Sequence, residues 1–176
     1  DIFAKGNLSA LQTQQGPFTA GGFLDIKNLL YSSDAFPQPI QNGSMKIQLE
    51  NSGGIADNTK VDITDGHIEL GKDPFDFALQ LRNPVSSIDF NGNAKGSFTL
   101  DNIKQFTQLE PGTSVSGQLN ADLAFSGNKT AIDKGEYDKI NINGTAGLTK
   151  LKYVSKDYPT GVTIDNTQLT FNQKNV

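Results

Sequence analysis

The 176 residues carry 15 Lys and Arg against 19 Asp and Glu, a formal net charge of −4. The only arginine is Arg82, and without clustered cations nucleic acid is excluded as a partner and no polybasic segment draws the chain to an anionic lipid surface. Cysteine is absent, which removes disulfides and thiolate metal centres, and no run of about eighteen apolar residues is present to span a membrane as a helix.

Eighteen glycines and seven prolines punctuate short apolar runs, the composition of many strands joined by turns. Period-two alternation is the dominant signal along the chain. It begins with "KIQLEN" (Ile47, Leu49) and "KVDIT" (Val61, Ile63), passes an Asp65-Gly66 pair of the type hairpin turns favour, and resumes in "HIEL" (Ile68, Leu70). The cleanest case is "FDFALQL", where Phe75, Phe77, Leu79 and Leu81 face one way and Asp76, Ala78 and Gln80 the other. Next come "SIDF", then "DFNGNAKG", which reads as a polar turn between strands. "DNIKQFTQL" follows as a short helix, with Asp101 as N-cap and Ile103, Phe106 and Leu109 at helical spacing. "QLNADLAF" (Leu119, Ala121, Leu123, Phe125), "KININ" and "QLTF" return to alternation. Alternating strands joined by short polar turns need no helical crossovers. The expected fold is therefore all-β, a curved and mainly antiparallel sheet, either an open groove or a partly closed sandwich, with one or two short helices.

Three landmarks recur in register. Gly22, Gly96 and Gly144 each begin G-x-φ-x-φ-x-x-φ, where φ is an apolar residue; a proline follows fifteen residues later (Pro37, Pro111, Pro159), and a turn residue six beyond that (Gly43, Gly117, Asp165). The first and third copies agree most closely, sharing Tyr31 with Tyr153 and the pairs Phe36-Pro37 and Tyr158-Pro159. Such self-similarity belongs to stacked units, each unable to bury its apolar face alone. Residues 1–176 thus read as one β-rich module with internal repeats starting near 22, 96 and 144. The abrupt start at Asp1 and end at Val176 suggest a piece of a longer protein.

Chemistry-bearing motifs are sparse, so neither enzymatic activity nor a cofactor is expected. His67 is the sole histidine; no G-x-S-x-G elbow accompanies it, "GTSVSG" being a near miss, and one imidazole without thiols does not make a zinc site. Asp89, Asn91 and Asn93 have the first spacings of a calcium loop, yet Ala94 and Leu100 stand where its glycine and glutamate belong. Sequons at Asn7, Asn42, Asn128 and Asn143, and the carboxylates Asp62 and Asp65, follow from a turn-rich composition.

"FNGNAKGSFTLDNIKQF" and "SVSGQLNADLAFSGN" give the repeat unit a further meaning. Over roughly residues 18 to 172, glycine, strand, inserted segment, proline and G-x-L-x-A-x-φ strand resemble the repeats near the C-terminus of AsmA-like proteins. The resemblance implies a long curved β-sheet with an apolar concave face, akin to bridge-like lipid transfer proteins. It also implies a periplasmic location in a Gram-negative envelope, attachment to the inner membrane through an N-terminal anchor missing here, and a phospholipid or other acyl lipid as partner. The lipid-facing candidates are Phe75, Phe77, Leu79, Leu81, Leu119, Leu123 and Phe125. The alternative reading is a structural or adhesive β-sandwich repeat of an exported surface protein.

Overall fold

The computed structural model of the chain describes residues 1–6, 17–33, 36–105 and 109–172. They form one antiparallel sheet whose strands pair strictly in chain order. Its nine strands are β1 (Ile2–Gly6), β2 (Phe18–Ser33), β3 (Phe36–Asn51), β4 (Lys60–Leu70), β5 (Asp73–Arg82), β6 (Asp89–Thr99), β7 (Ser114–Asn128), β8 (Asn141–Val154) and β9 (Val162–Phe171). The sheet is open: β1 and β9 are its edges, and among the described residues no second sheet lies against it. Each alternating run pairs with the next as soon as a short connection permits. Between Leu70 and Asp73 the connection is a two-residue turn, where Gly71 takes the positive φ of 70° that such turns favour.

The Asp65-Gly66 pair is not a hairpin turn. "KVDIT" and "HIEL" are one continuous strand, β4, and the pair forms a bulge inside it, with Asp65 at φ 50° and the register with β5 slipping between Ile63 and Gly66. Both features draw on the same property, since a residue tolerant of left-handed φ serves a bulge as well as a turn. Bulges at Asn28, Asn42 and Lys150 repeat the device, at φ 55°, 50° and 51°. "DFNGNAKG" is likewise not a turn but most of β6, an interior strand paired along its length with β5 and β7.

The short helix is a 3-10 helix over Leu100–Gln105. Strand β6 runs on to Thr99, and buried Leu100 pins the helix start, so Asp101 lies inside the helix instead of capping it. Its carboxylate accepts a hydrogen bond from the Gly117 N–H at 3.2 Å. Phe106 lies outside the described residues. One α-helix, α1 (Lys129–Asp133), has no counterpart in the sequence reading; Asn128 caps it by accepting from the Thr130 N–H at 2.8 Å, and buried Ala131 seats it.

Gly22, Gly96 and Gly144 fall on β2, β6 and β8, strands that run in the same direction, with Pro37, Pro111 and Pro159 at or before the start of the strand that follows each. Six residues after the first and third glycines stand Asn28 and Lys150, both of them bulge residues. The middle copy has Asn102 there, inside the 3-10 helix, which is why the outer two copies are more alike.

Burial is slight for a chain of this length. The one cluster of buried apolar side chains described is Phe18, Ala20 and Ala56, with Leu49 packed against it, and among the described residues no large side chain is less than 2% exposed. Domains ordinarily bury an apolar sheet face against a second layer; here the described residues supply only one.

Candidate functional site

Residues directly opposite in an antiparallel ladder share a face, so the register assigns every strand residue to one side. Rows running from β4 to β8 read Ile68, Phe75, Gly96, Ala121, Ala146; then Phe77, Ala94, Leu123, Gly144; then Ile63, Leu79, Gly92, Phe125, Ile142; and Val61, Leu81, Phe90, Gly127. Phe98, Leu119 and Leu148 form a further row above them. No charged side chain stands in these rows. The opposite face carries rows such as Asp76, Lys95, Asp122, Thr145 and Gln80, Asn91, Ser126, Asn141. Polar contacts between strands belong to that side, including the Lys95–Asp122 ion pair at 3.0 Å and a His67–Asp76 hydrogen bond at 2.6 Å.

All seven lipid-facing candidates lie on the apolar face. Phe75, Phe77, Leu79 and Leu81 come from β5, and Leu119, Leu123 and Phe125 from β7. Each is half-buried, covered by strand neighbours on its flanks and open above. Sequence reasoning missed what lies between them. The face of β6 presents Phe90 and Phe98 at its ends and only Gly92, Ala94 and Gly96 in its middle, small residues that carry no hydrophobic signal.

Those small residues let larger neighbours lie flat on the backbone. A Cβ built on Gly92 would meet Leu79 Cδ1 and Phe125 Cζ, each at 3.2 Å, so the two side chains converge over the glycine from opposite strands. A Cβ on Gly96 would meet the Phe75 ring at 2.5 Å, and one on Gly66 the Phe77 ring at 2.7 Å. Rings folded over strand glycines cover backbone that would otherwise be wet. Tilted pairs tie the layer together diagonally: Phe75 with Phe98 at 6.4 Å and Phe90 with Phe125 at 6.2 Å between centroids, within the range where such pairs attract.

One broad hollow, a shallow depression of about 650 Å³, crosses β5 to β9 on the opposite, polar face, past Asp76, Lys95, Asn120, Asp122 and Thr145. Another, of about 690 Å³, lies between the 3-10 helix and the start of β7, past Ile103, Leu109, Val115 and Val154. Among the described residues no second sheet covers the apolar face.

The polar face brings one row of chemical interest together. Ser44, His67 and Asp76 stand opposite one another on β3, β4 and β5. His67 Nδ1 lies 2.6 Å from Asp76 Oδ1, and its Nε2 looks toward Glu69 Oε1 at 4.0 Å. No hydrogen bond joins Ser44 to the imidazole, so the row presents no activated hydroxyl; it holds an imidazole–carboxylate hydrogen bond across strands. Asp89, Asn91 and Asn93 alternate along β6 on the polar face, about 7 Å apart from one to the next in extended backbone, too far to converge on one cation. Asp89 is already held by Asn83 and Asn128, both at 2.6 Å. Among the described residues no group of three or more His, Asp or Glu side chains is placed to hold a metal.

No family model, curated protein or solved structure matches the chain. Its functional reading therefore rests on the chemistry of the two faces.

Proposed function

We propose that the chain is a non-enzymatic lipid-handling module of the bacterial envelope, and that the apolar face shields acyl chains of phospholipid or another acyl lipid from water. One observation carries the reading: Phe75, Phe77, Leu79, Leu81, Leu119, Leu123 and Phe125 share one face of a single-layer sheet with no covering layer among the described residues. The resemblance to AsmA-like repeats supplies the setting, a periplasmic sheet held to the inner membrane through an N-terminal anchor outside these residues, serving transport or outer-membrane assembly.

The dimensions suit a path better than a pocket. Nine strands at about 4.8 Å spacing make a surface about 38 Å across, whereas one acyl chain reaches about 15 Å, half the hydrocarbon thickness of a bilayer. A methylene withdrawn from water is worth about 0.8 kcal/mol. A chain of about 14 methylenes lying on a surface keeps roughly half of that, on the order of 5 kcal/mol. That is enough to lower the barrier to leaving a membrane and weak enough to permit onward movement. Rows of Phe, Leu and Ile without charge supply many equivalent contacts and no single tight site.

Binding of a phospholipid with a fluorescent NBD-labelled acyl chain tests the reading. Phe77→Asp with Leu123→Asp is expected to weaken binding at least about ten-fold, with Gln80→Asp on the polar face near parental. Equal loss from both faces, with folding intact by circular dichroism, contradicts the proposal.

A further inference from the structure

The apolar face ends in a small open-mouthed pocket. Where β1, β2 and β3 meet the β3–β4 and β5–β6 connections, a cavity of about 190 Å³ is walled by Ile2, Phe18, Ala20, Leu49, Ala56 and Val85. Three of these, Phe18 at 8%, Ala20 at 5% and Ala56 at 2% exposure, make up the one buried apolar cluster described. The place where the chain encloses an apolar interior is therefore also a place where it leaves room.

The walls are fixed too firmly to collapse into the space. Asn51, 2% exposed, donates to the Ile55 carbonyl and to Thr59 Oγ1, both at 3.0 Å, and accepts from the Gly53 N–H at 3.0 Å. The Phe18 N–H donates to the Gly54 carbonyl at 2.8 Å. Asp57 holds the opposite wall by accepting from the Val85 N–H at 3.0 Å and the Ser86 N–H at 3.2 Å. The polar side chain on the lining, Thr59, is spent: its hydroxyl donates to the Ala56 carbonyl at 2.6 Å and accepts from Asn51.

Water gains nothing in such a site. An apolar cavity of about 150 Å³ stays dry and takes up benzene, so this one accommodates a segment of about six carbons. Its mouth is apolar as well, with Ile2 59% and Val85 47% exposed. Leu49, on its wall, begins the row that continues through Val61, Leu81 and Phe90 across the sheet.

We propose that this pocket seats the terminal methyl end of an unbranched acyl chain lying along the apolar face, an inference that rests on the lipid-handling reading above. The pocket has no group to recognise a headgroup, so it sets the polarity of the lipid on the sheet: tail end at the β1–β3 corner, headgroup outward.

Two photoreactive palmitates test it on the 176-residue chain, one with a diazirine at the terminal carbon and one with the diazirine beside the carboxylate. Adducts are mapped by mass spectrometry. The terminal-carbon probe is expected to label residues 1–6, 17–24, 49–59 and 84–86 at least about five-fold more than the carboxyl-proximal probe. Ala20→Leu, which fills the space, and Val85→Lys, which charges the exposed mouth without touching the buried wall, should each cut that labelling about ten-fold and spare adducts near Phe77 and Leu123. Identical label distributions for the two probes, or no response to either substitution, overturn the pocket assignment while leaving the face reading intact. Absence of labelling anywhere on the apolar face overturns both.

Discussion

Gly96→Ala tests the claim that aromatic rings rest on strand backbone. The added methyl carbon would lie 2.6 Å from the Pro74 carbonyl oxygen and 2.5 Å from Phe75 Cδ1. The ring has freedom to swing aside, at the expense of its contact with Phe98; the carbonyl belongs to β5 and moves only if the two strands part. Two effects compete. Replacing glycine by alanine restricts the unfolded chain and favours folding by about 0.4–1 kcal/mol, while overpacking costs about 1–3 kcal/mol. The backbone clash wins, for a net loss of about 1–2 kcal/mol, or roughly 2–8 °C in Tm for a chain of this size. Gly147→Ala is the matched control, because its nearest heavy atom is the Thr167 carbonyl oxygen at 3.7 Å. There only the unfolded-state term operates, and Tm should rise by about 1–4 °C. Thermal unfolding followed by circular dichroism or calorimetry reads both. A Gly96→Ala protein as stable as the Gly147→Ala protein refutes the account of how this face is built.

Asn51→Ala removes three hydrogen bonds from the β3–β4 connection and should destabilise by about 2 kcal/mol, a fall in Tm of roughly 4–8 °C. Amide exchange should accelerate first at Gly53 and Thr59; uniform acceleration across the sheet would contradict a local role. In the β7–β8 connection, a hydrogen bond from Lys139 at 2.7 Å holds the Glu136 carboxyl below its ordinary range. A depressed folded-state pKa means that the pair's contribution is present above the ordinary carboxylate range and is lost as pH falls through the lowered value. Lys139→Gln should move the Glu136 titration upward in ¹³C NMR; an unchanged midpoint would show that Lys139 is not the cause.

The sheet was legible where large residues alternate. Phe75 to Leu81 and Leu119 to Phe125 announce both their strands and their shared face, since the period of two leaves no other way to bury them. Between them β6 was illegible: with Gly92, Ala94 and Gly96 on its apolar side, its polar residues dominate the pattern and mimic a turn. Asp65-Gly66 misled for a related reason, because left-handed φ is the shared requirement of a turn and a bulge, and only the pairing partner distinguishes them. The five-residue α1 is too short for any helical period to register. The Ser44, His67 and Asp76 row and the pocket behind Ala20 and Ala56 arise from strand register and from a connection folding back on the sheet. Neither leaves a trace in local composition.

The central claim is that lipid lies on one face of the sheet and not on the other. Photo-crosslinking residues placed singly at Phe77, Leu123, Gln80 and Asp122 in the intact protein in cells measure this directly, since the register sets the first two on the apolar face and the last two on the polar face. The account predicts lipid adducts at Phe77 and Leu123 well above those at Gln80 and Asp122. Capture no greater on the apolar face than on the polar one would contradict it.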